Sequence, residues 1–391
     1  MRIAIFTESY EPIINGVSVC VSTLRDGLAG RGHEVFVFAP AFKGYKDSAE
    51  HVYRLPATHT VLHPDYPFPL PFAPEARRAF ADLKLDIVHT QTPFMLGVLG
   101  AKWARRFGVP FVSTNHTLYT EYAHYAPIRP KALTKWFLMR LMKWYYSGCD
   151  AVVVPSSPVE KILRSYGVKT RIEIIKTGIE AVPELVPEAR EATRREHGIA
   201  QGDFLLLYVG RIAREKNLRM LLTAFKTVTS RHDRAKLILV GGGPALAETK
   251  NFASQLELGD RVEFMGMLKR HDIAPIYGAA DAFAFPSTTD TQGLAICEAM
   301  SAGLPVVAVN AGGIPENLEP GIDSFLTNDD PGQFADRISF LIANPAERAE
   351  MGSHARANAR NFSIERMVDD FEAFYESVIV APSPFIIQNS S

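Results

Sequence analysis

Short apolar runs alternate with longer amphipathic segments along the chain, and this alternation limits the possible folds more than any other feature. Runs rich in Val, Ile and Phe predict strands at residues 2–6, 35–39, 87–89, 111–114, 151–155 and 172–175. Between the first two strands, Val17, Val21, Leu24 and Leu28 recur at helical spacing. Strands that alternate with helices predict a parallel sheet joined by crossover helices.

The alternation stops and then starts again, which predicts two domains. Residues 180–200 are rich in Pro, Glu, Arg and Ala and begin without apolar periodicity, as expected of a domain connection. Beyond them, strands are predicted at residues 204–209, 236–240, 262–265, 282–285, 306–309 and 324–326. We therefore predict an N-terminal domain of residues 1–180, completed by a C-terminal helical segment at 364–391, and a C-terminal domain of residues 181–363.

Composition excludes several classes of partner. The formal net charge of the 391 residues is -1, so no global field attracts nucleic acid. Cys20, Cys149 and Cys297 lack the short spacings of zinc sites and disulfide frameworks, and we interpret them as buried thiols. The first apolar run is too short for a signal peptide, and no run approaches the roughly 20 apolar residues that span a bilayer. The expected location is the cytoplasm.

The residues after the predicted strand at 282–285 give the strongest functional signal. A polar loop leads into a helix that begins near Gly293, so free backbone N–H groups and the positive end of the helix dipole mark a site for an anion or a sugar hydroxyl. The carboxylates of Asp290 and Glu298 can accept hydrogen bonds from vicinal hydroxyls of a hexose or a ribose. Alternatively, Asp290 caps the helix and Glu298 is a partly exposed helical acid.

Two further loops follow predicted strands and suit a pyrophosphate. Arg211 and Lys216 follow the strand at 204–209, where a guanidinium fork and a point charge would reach a diphosphate; a solvated basic turn is the alternative. Gly242 lies in a glycine run after the strand at 236–240, where backbone can approach a nucleotide, or where the chain simply turns. Gly16 opens the first helix and can bring an N–H group to phosphate. No complete G-x-G-x-x-G motif is present, which disfavours a dehydrogenase.

A polar and aromatic loop follows the predicted strand at 111–114. Aromatic rings stack on carbohydrate, and an imidazole can hydrogen-bond a sugar, so we expect His116 to contact the sugar. The alternative for this histidine is a packed or surface residue. For acceptor binding we predict Tyr119, Tyr122 and Tyr125.

Taken together, these segments resemble glycosyltransferase family 4, the retaining enzymes of the GT-B fold, over nearly the whole chain. The resemblance rests on the loop from Gly210 to Lys216, on Asp290 and Glu298 at the family's Glu-x7-Glu spacing, and on residues 298–307. It implies two facing Rossmann-like, doubly wound α/β domains with a deep cleft between them. It also implies a nucleotide-diphosphate sugar as substrate and no metal or other cofactor. Asp290 departs from the family, which commonly has the longer Glu at this position.

The resemblance also implies roles for the matching residues. Glu298 would bind the ribose, Asp290 the transferred hexose, and His116 would orient that hexose. Arg211 and Lys216 would stabilise the diphosphate during front-face transfer, which needs no protein nucleophile. The implied catalytic residues are His116, Arg211, Lys216 and Asp290. The implied donor-binding residues are Gly16, Arg211, Lys216, Gly242, Met267, Asp290, Gln292, Gly293, Leu294 and Glu298.

Residues 130–147 predict a helix with two different sides. The side predicted to pack on the core carries Leu133, Phe137, Leu138, Leu141, Trp144 and Tyr145. The opposite side carries basic residues among Trp136, Met139, Met142 and Tyr146, as is typical of helices on anionic lipid, although a solvated basic face has the same pattern. The predicted membrane contacts are Lys131, Lys135, Trp136, Arg140 and Lys143.

Three functions are compatible with these residues. The loops at 116–119 and 291–293 resemble the family branch that glucosylates diacylglycerol, which implies an α-glycolipid made from UDP-glucose by a peripheral protein on the inner face of the cell membrane. The second function is a soluble hexosyltransferase that uses GDP-mannose or a UDP-sugar to build polysaccharides or to glycosylate small molecules. The third is a non-catalytic protein that binds nucleotide sugars.

Overall fold

The protein consists of two compact units. Unit 1 comprises Met1–Gly178 and the C-terminal segment that begins at Ile364, and unit 2 comprises Ile179–Ser363. The computed structural model describes residues 1–13, 15–47, 49–60, 63–70, 73–120 and 131–380. In this described part of the chain, no helix combines the length and the apolarity needed to cross a bilayer.

Unit 1 is built on a seven-stranded parallel sheet and a separate antiparallel hairpin. The strands are β1 (Arg2–Phe6), β2 (Glu34–Pro40), β3 (Val52–Leu55), β4 (Ala57–Thr60), β5 (His63–Pro69), β6 (Ile87–Thr90), β7 (Phe111–Thr114), β8 (Ala151–Val154) and β9 (Arg171–Ile174). The sheet order is β3-β2-β1-β6-β7-β8-β9, and β4 pairs with β5. The buried strands carry the Val, Ile and Phe runs that predicted them.

Helices cover both faces of this sheet. They are α1 (Gly16–Gly30), α2 (Pro74–Asp82), α3 (Met95–Phe107), α4 (Lys131–Tyr146), α5 (Ser157–Ser165) and, after unit 2, α13 (Ile364–Val380). On one face α1 and α13 pack against the sheet, and on the other face α2 and α3 pack around Phe6 and Phe38 while α4 and α5 extend the same apolar cluster. Asn15 caps α1 because its side-chain oxygen accepts hydrogen bonds from the backbone N–H groups of Val17 and Ser18.

Unit 2 repeats the same architecture with six parallel strands. These are β10 (Phe204–Val209), β11 (Ala235–Val240), β12 (Val262–Gly266), β13 (Ala282–Phe285), β14 (Val306–Val309) and β15 (Ser324–Thr327), in the order β12-β11-β10-β13-β14-β15. The helices are α6 (Pro187–Glu196), α7 (Leu218–Arg231), α8 (Leu246–Gln255), α9 (Arg270–Ala279), α10 (Leu294–Ser301), α11 (Pro331–Ala343) and α12 (Pro345–Ala359).

Both sheets have the strand order of a doubly wound, Rossmann-like fold, and this prediction is confirmed. In unit 1 the order reverses between β1 and β6, and in unit 2 it reverses between β10 and β13. Ligands of open parallel sheets bind outside the carboxyl ends of the strands at such a switch point. The loops after these four strands are therefore the places where functional side chains are expected.

The C-terminal helix α13 completes the core of unit 1. Its buried side chains are Met367, Val368, Phe371, Phe374, Tyr375 and Val378. The Tyr375 hydroxyl lies 2.7 Å from Nδ1 of His89, whose Nε2 lies 2.7 Å from the Thr114 hydroxyl. Burial lowers the pKa of His89 to about 3, so this imidazole is neutral and links α13 to β6 and β7.

We expect Phe371→Ala to reduce the free energy of unfolding of unit 1 by about 3–5 kcal/mol, because the substitution leaves a cavity against His89 and Tyr375. Val380→Ala, at a side chain on the same helix that is 83% exposed, is the matched control and should change stability by less than about 0.5 kcal/mol. Denaturant titration of both variants measures the difference. Equal stability of the two variants would contradict the packing role of α13.

Candidate functional site

The loop after β10 holds Lys216 in a short helical turn, Arg214–Lys216. Asn217 follows in a left-handed conformation (φ 58°) and begins α7. Its side-chain amide donates hydrogen bonds to the Pro286 carbonyl (3.3 Å) and to Asp329 (2.7 Å). Asn217 therefore ties the loop after β10 to the loop after β13.

An ion pair joins the same two loops. Nζ of Lys216 lies 2.8 Å from each carboxylate oxygen of Asp290, and both side chains are mostly buried. Arg211, on the same loop as Lys216, has a half-exposed guanidinium that lies 3.8 Å from the buried carboxylate of Glu215. The structure thus brings the predicted cation Lys216 and the predicted acid Asp290 together at the switch point of unit 2.

The loop that carries Asp290, Gln292 and Gly293 is held by its neighbours. The Gly313 N–H donates to the Asp290 carbonyl (2.9 Å), and the Asn317 side-chain amide donates to the Gln292 carbonyl. Gly293 has φ 78°, a left-handed conformation that favours glycine, and α10 begins at the next residue, Leu294. The predicted start of a helix near Gly293 is confirmed.

Glu298 lies on α10 with two partners that the sequence did not reveal. The Tyr277 hydroxyl donates a hydrogen bond to Oε2 of Glu298 (3.0 Å), and the Arg270 guanidinium lies 3.9 Å from Oε1. Burial raises the pKa of Glu298, while Arg270 and Tyr277 oppose that shift. Both partners come from α9, so this helix orients the carboxylate that was predicted to bind a ribose.

The glycine run after β11 contains two kinds of position. Gly241 has φ 139°, and a side chain there would collide with the Gly210 carbonyl, so the turn itself requires glycine. At Gly242 an added Cβ would instead lie 2.7 Å from Cγ of Met267, whose side chain is 72% exposed. The predicted donor-binding residues Gly242 and Met267 are therefore neighbours.

In unit 1 the predicted residue His116 follows β7 and is partly exposed. Its Nε2 lies 2.7 Å from Oε1 of Gln91, which follows β6. Burial lowers the pKa of His116 to about 4, so the imidazole is neutral at physiological pH. Gly16 is the exposed first residue of α1, and an added Cβ would meet no atom of the described residues within 4 Å, so packing among those residues does not account for this glycine.

Glu8, which sequence reasoning missed, follows β1 at the switch point of unit 1. Its carboxyl group accepts hydrogen bonds from the Thr92 hydroxyl and from the backbone N–H groups of Leu96 (2.6 Å) and Gly97, at the start of α3. Burial raises its pKa to about 7, against these hydrogen bonds. Its position two residues after a predicted strand was the only available signal.

One of the predicted acceptor-binding residues lies at this edge of the sheet. The Tyr119 ring packs edge-on against Phe94, with 4.9 Å between centroids, and Phe94 is 36% exposed. Burial and the charge of Glu8 raise the pKa of Tyr119, which keeps the phenol neutral. The predicted residues Tyr122 and Tyr125 lie outside the described residues.

The predicted orientation of α4 is only partly correct: Leu138, Leu141 and Tyr145 lie on the core side as predicted, whereas Met142 and Tyr146, predicted on the opposite side, are also buried. Thr134, Met142, Tyr145 and Tyr146 are buried, and they form one stripe with the partly buried Leu138 and Leu141. Three residues predicted to pack on the core, Leu133, Phe137 and Trp144, are instead 53–60% exposed. Apolar residues occur all around this helix, so periodicity did not select the core side; the Tyr145 hydroxyl, which lies 2.7 Å from the Thr90 hydroxyl, helps to fix it.

The outward side of α4 is both cationic and aromatic. Trp136 is 56% exposed, and the Arg140 guanidinium lies over its ring, 5.6 Å from the centroid. We define the α4 patch as Lys131, Leu133, Lys135, Trp136, Phe137, Arg140, Lys143 and Trp144, all of which are exposed. It includes every predicted membrane contact.

Comparison with known protein families gives two matches. Residues 14–181 match Glycosyltransferase Family 4, and residues 189–358 match Glycosyl transferases group 1. An alpha-monoglucosyldiacylglycerol synthase of Streptococcus pneumoniae is 37% identical over 319 residues, covering 79% of this chain and 71% of the relative. A second such synthase, from Acholeplasma laidlawii, is 28% identical over 400 residues, covering 97% of this chain and 98% of the relative. A GDP-mannose-dependent alpha-mannosyltransferase of Mycolicibacterium smegmatis is 29% identical over 388 residues, covering 97% of this chain and 98% of the relative.

Solved structures resemble the chain over nearly its whole length. Anabaena HepE in complex with UDP and glucose has a TM-score of 0.79 at 22% identity, covering 96% of this chain and all of that chain. Sucrose-phosphate synthase of Thermosynechococcus elongatus has a TM-score of 0.81 at 23% identity, covering 97% and all of that chain. These likenesses establish the fold.

The raised pKa of Glu8 gives its carboxyl group a defined effect on stability. The folded state binds the Glu8 proton more tightly than the unfolded state, so its stabilising contribution is full below about pH 4.5 and is lost as pH rises through about 7. Relative to Glu8→Gln, which cannot titrate, the free energy of unfolding of the wild-type protein should fall by roughly 2 kcal/mol between about pH 5.5 and pH 8. Urea titrations of both proteins at the two pH values measure this difference. A constant difference would show that Glu8 is ionised throughout.

Proposed function

The chain belongs to glycosyltransferase family 4 and is a nucleotide-sugar-dependent glycosyltransferase of the GT-B fold, and we propose that it transfers glucose from UDP-glucose to diacylglycerol with retention of configuration. The product is an α-glycolipid. The S. pneumoniae and A. laidlawii relatives, both named alpha-monoglucosyldiacylglycerol synthases, support this choice of donor sugar and acceptor.

One observation carries the proposal: the two loops at the switch point of unit 2 meet through the Lys216–Asp290 pair. A nucleotide-diphosphate sugar needs cations for its phosphates, acceptors for its sugar hydroxyls and a carboxylate for its ribose. Lys216 and Arg211 supply the cations. Asp290 and the backbone from Gln292 to Leu294 bind the sugar hydroxyls, and Glu298 supplies the carboxylate for the ribose. The Tyr277 hydroxyl binds Oε2 of Glu298, while Oε1, which lies 3.9 Å from the Arg270 guanidinium, can also accept from a ribose hydroxyl.

The proposed chemistry is front-face displacement. The acceptor hydroxyl forms its bond to the anomeric carbon on the face from which the diphosphate leaves, and an oxygen of the leaving phosphate takes the hydroxyl proton. Negative charge grows on the diphosphate as its bond to the sugar breaks, so Arg211 and Lys216 stabilise the transition state more than the bound substrate. Because these two side chains supply that charge, we propose a metal-independent reaction without a cofactor.

Unit 1 supplies the acceptor side in this proposal. Neutral His116 orients the transferred hexose, Gly16 leaves room for phosphate at the first turn of α1, and Tyr119 with Phe94 contacts the acceptor. Diacylglycerol lies in a membrane, so the enzyme must reach a lipid surface. We propose that the α4 patch binds it, with rings at the headgroup boundary and Lys and Arg on anionic headgroups, which places the enzyme on the inner face of the cell membrane.

A second candidate is mannosyl transfer from GDP-mannose. It is favoured by the Mycolicibacterium relative, which matches almost the whole chain. In the proposed site the backbone near Met267 approaches the base, and side-chain chemistry there does not select between uracil and guanine. The choice of donor is therefore decided by assay.

We expect transfer from UDP-glucose to diacylglycerol in anionic vesicles, an α-linked product by NMR of the anomeric proton, and unchanged activity in EDTA. GDP-mannose, UDP-galactose and ADP-glucose are the competing donors. Lys216→Met should reduce the rate by about 10²–10³-fold because it removes a charge on the leaving group. Arg214→Met is the matched control, since Arg214 lies on the same turn with a side chain that is 79% exposed, and it should retain activity.

The contradicting outcomes are specific. Faster transfer from GDP-mannose would replace the glucosyl proposal with the mannosyl one. Turnover that ignores diacylglycerol and vesicles would remove the lipid acceptor. Equal loss in Lys216→Met and Arg214→Met would show that the cationic turn supports only the fold.

Replacing the charges of the α4 patch should weaken membrane binding without unfolding the protein. Each basic residue near an anionic surface contributes about 1 kcal/mol, so Lys131→Gln/Lys143→Gln should bind vesicles roughly 10–30-fold more weakly. Phe137→Ser/Trp144→Ser should bind more weakly even at high salt, because it removes ring insertion and leaves the charges. Arg195→Gln/Lys250→Gln, at exposed positions of unit 2, is the charge-matched control. Sedimentation with anionic and neutral vesicles measures binding; equal binding by all variants would exclude the α4 patch.

A further inference from the structure

Gln91 lies directly behind His116 at the switch point of unit 1. Its side chain is only 1% exposed, and its Oε1 lies 2.7 Å from Nε2 of His116, which is partly exposed. A carbonyl oxygen can only accept, so this contact places the imidazole proton on Nε2 and leaves Nδ1 as the acceptor atom of the ring. The glutamine therefore determines both the tautomer and the ring orientation of His116.

The side-chain amide of Gln91 does not contribute its full hydrogen bonding to the stability of the protein. Nε2 of Gln91 is buried and has no hydrogen-bond partner in the described part of the protein. An unsatisfied buried donor is destabilising, and an apolar residue of similar size would avoid this penalty. A glutamine at this position is thus better explained by its effect on His116 than by packing.

The loop that carries Gln91 is itself anchored from β1. The Gln91 N–H donates to the Phe6 carbonyl (2.8 Å), and the next residue, Thr92, donates its hydroxyl to Glu8. Glu8 also accepts from the Leu96 N–H (2.6 Å) at the start of α3. These bonds hold both ends of the turn between β6 and α3, so Gln91 has little freedom to move away from His116.

We propose that Gln91 is a positioning residue that holds His116 as the neutral Nε2–H tautomer, and that Glu8 fixes the turn from which Gln91 acts. The inference rests on the proposed function only where it assigns His116 to the transferred sugar. With Nδ1 as the acceptor, His116 receives a hydrogen bond from a sugar hydroxyl. A protonated ring has no acceptor, so both the tautomer and the neutral state matter for sugar binding.

The surroundings of His116 keep it neutral. Burial lowers its pKa to about 4, and burial together with the nearby His116 lowers the pKa of His89 on β6 to about 3. Glu8, in the loop after β1, directs its carboxyl group to the Thr92 hydroxyl and to the backbone at the start of α3. A carboxylate at position 91 would place a negative charge in direct contact with Nε2 of His116.

The test combines two substitutions with a readout that does not depend on turnover. In Gln91→Glu, the carboxylate should raise the pKa of His116 from about 4 into the range of about 5–7. In Gln91→Met, the two neutral tautomers should mix without a change in charge. Nitrogen-15 NMR of histidine-labelled protein, with His116 assigned from the spectrum of His116→Asn, reports the pKa and the tautomer directly.

Transfer kinetics give the second readout. Gln91→Met should reduce kcat on the order of tenfold, the loss expected when the partner that orients a functional histidine is removed. Gln91→Glu should add a pH dependence in which transfer falls as pH drops through the new His116 pKa. Tyr145→Phe, which removes the buried Thr90–Tyr145 contact beside Gln91, is the matched control; it should lower stability and leave the pH profile and the NMR signals of His116 unchanged.

The possible outcomes distinguish the role of Gln91 in positioning His116 from the role of His116 in the reaction. Unchanged His116 tautomer and pKa in both Gln91 variants would overturn the positioning role, whatever the kinetics show. Altered NMR signals with unaltered transfer would support the positioning of His116 but remove His116 from the proposed reaction. If Gln91→Glu does not fold, Gln91→Met still decides the tautomer.

Discussion

In each sheet the chain adds strands on one side of its first strand and then crosses to the other side. As a result β1 and β6 are neighbours, and so are β10 and β13. The helices that follow β1 and β6 pack on opposite faces of their sheet, which leaves the loops between them uncovered. Glu8 and Gln91 in unit 1, and Lys216 and Asp290 in unit 2, lie in such loops. Their proximity follows from strand order, although they are distant in sequence.

The charges of the site are paired within the protein. Lys216 contacts Asp290, Arg211 faces Glu215, and in each pair at least one side chain is mostly buried. Pairing avoids the cost of several kcal/mol that an isolated buried charge carries. A diphosphate has more negative charge than one carboxylate, so it competes well for Lys216. The proposed donor would then release Asp290, which becomes available to accept sugar hydroxyls.

Much of the fold could be predicted, because buried parallel strands read as uninterrupted apolar runs. Every predicted strand overlaps a strand of the structure, whereas β3, β4 and β5 were missed in a segment with polar residues and four prolines at positions 56, 64, 67 and 69. Motifs located Lys216 and Asp290 in adjoining loops. Gln91, Glu8 and Tyr277 carry no motif, and only the contacts that folding creates mark them.

The orientation of α4 was also decided by contacts that only folding creates. A helix with apolar residues on all sides gives no unique core side, so packing partners decide its rotation, and here the buried stripe ends in Tyr145 and Tyr146. This rotation leaves Phe137 and Trp144 more than half exposed, so much of the roughly 1.5–3 kcal/mol that full burial of a large apolar side chain contributes is not gained. The net charge of -1 gives no general attraction to anions, so any binding to anionic lipid depends on the local arrangement of Lys131, Lys135 and their neighbours. Exposed aromatic rings have a lower free energy at a lipid interface than in water, and the cations among them can bind anionic headgroups. Both effects favour the proposed membrane role over a merely solvated helix.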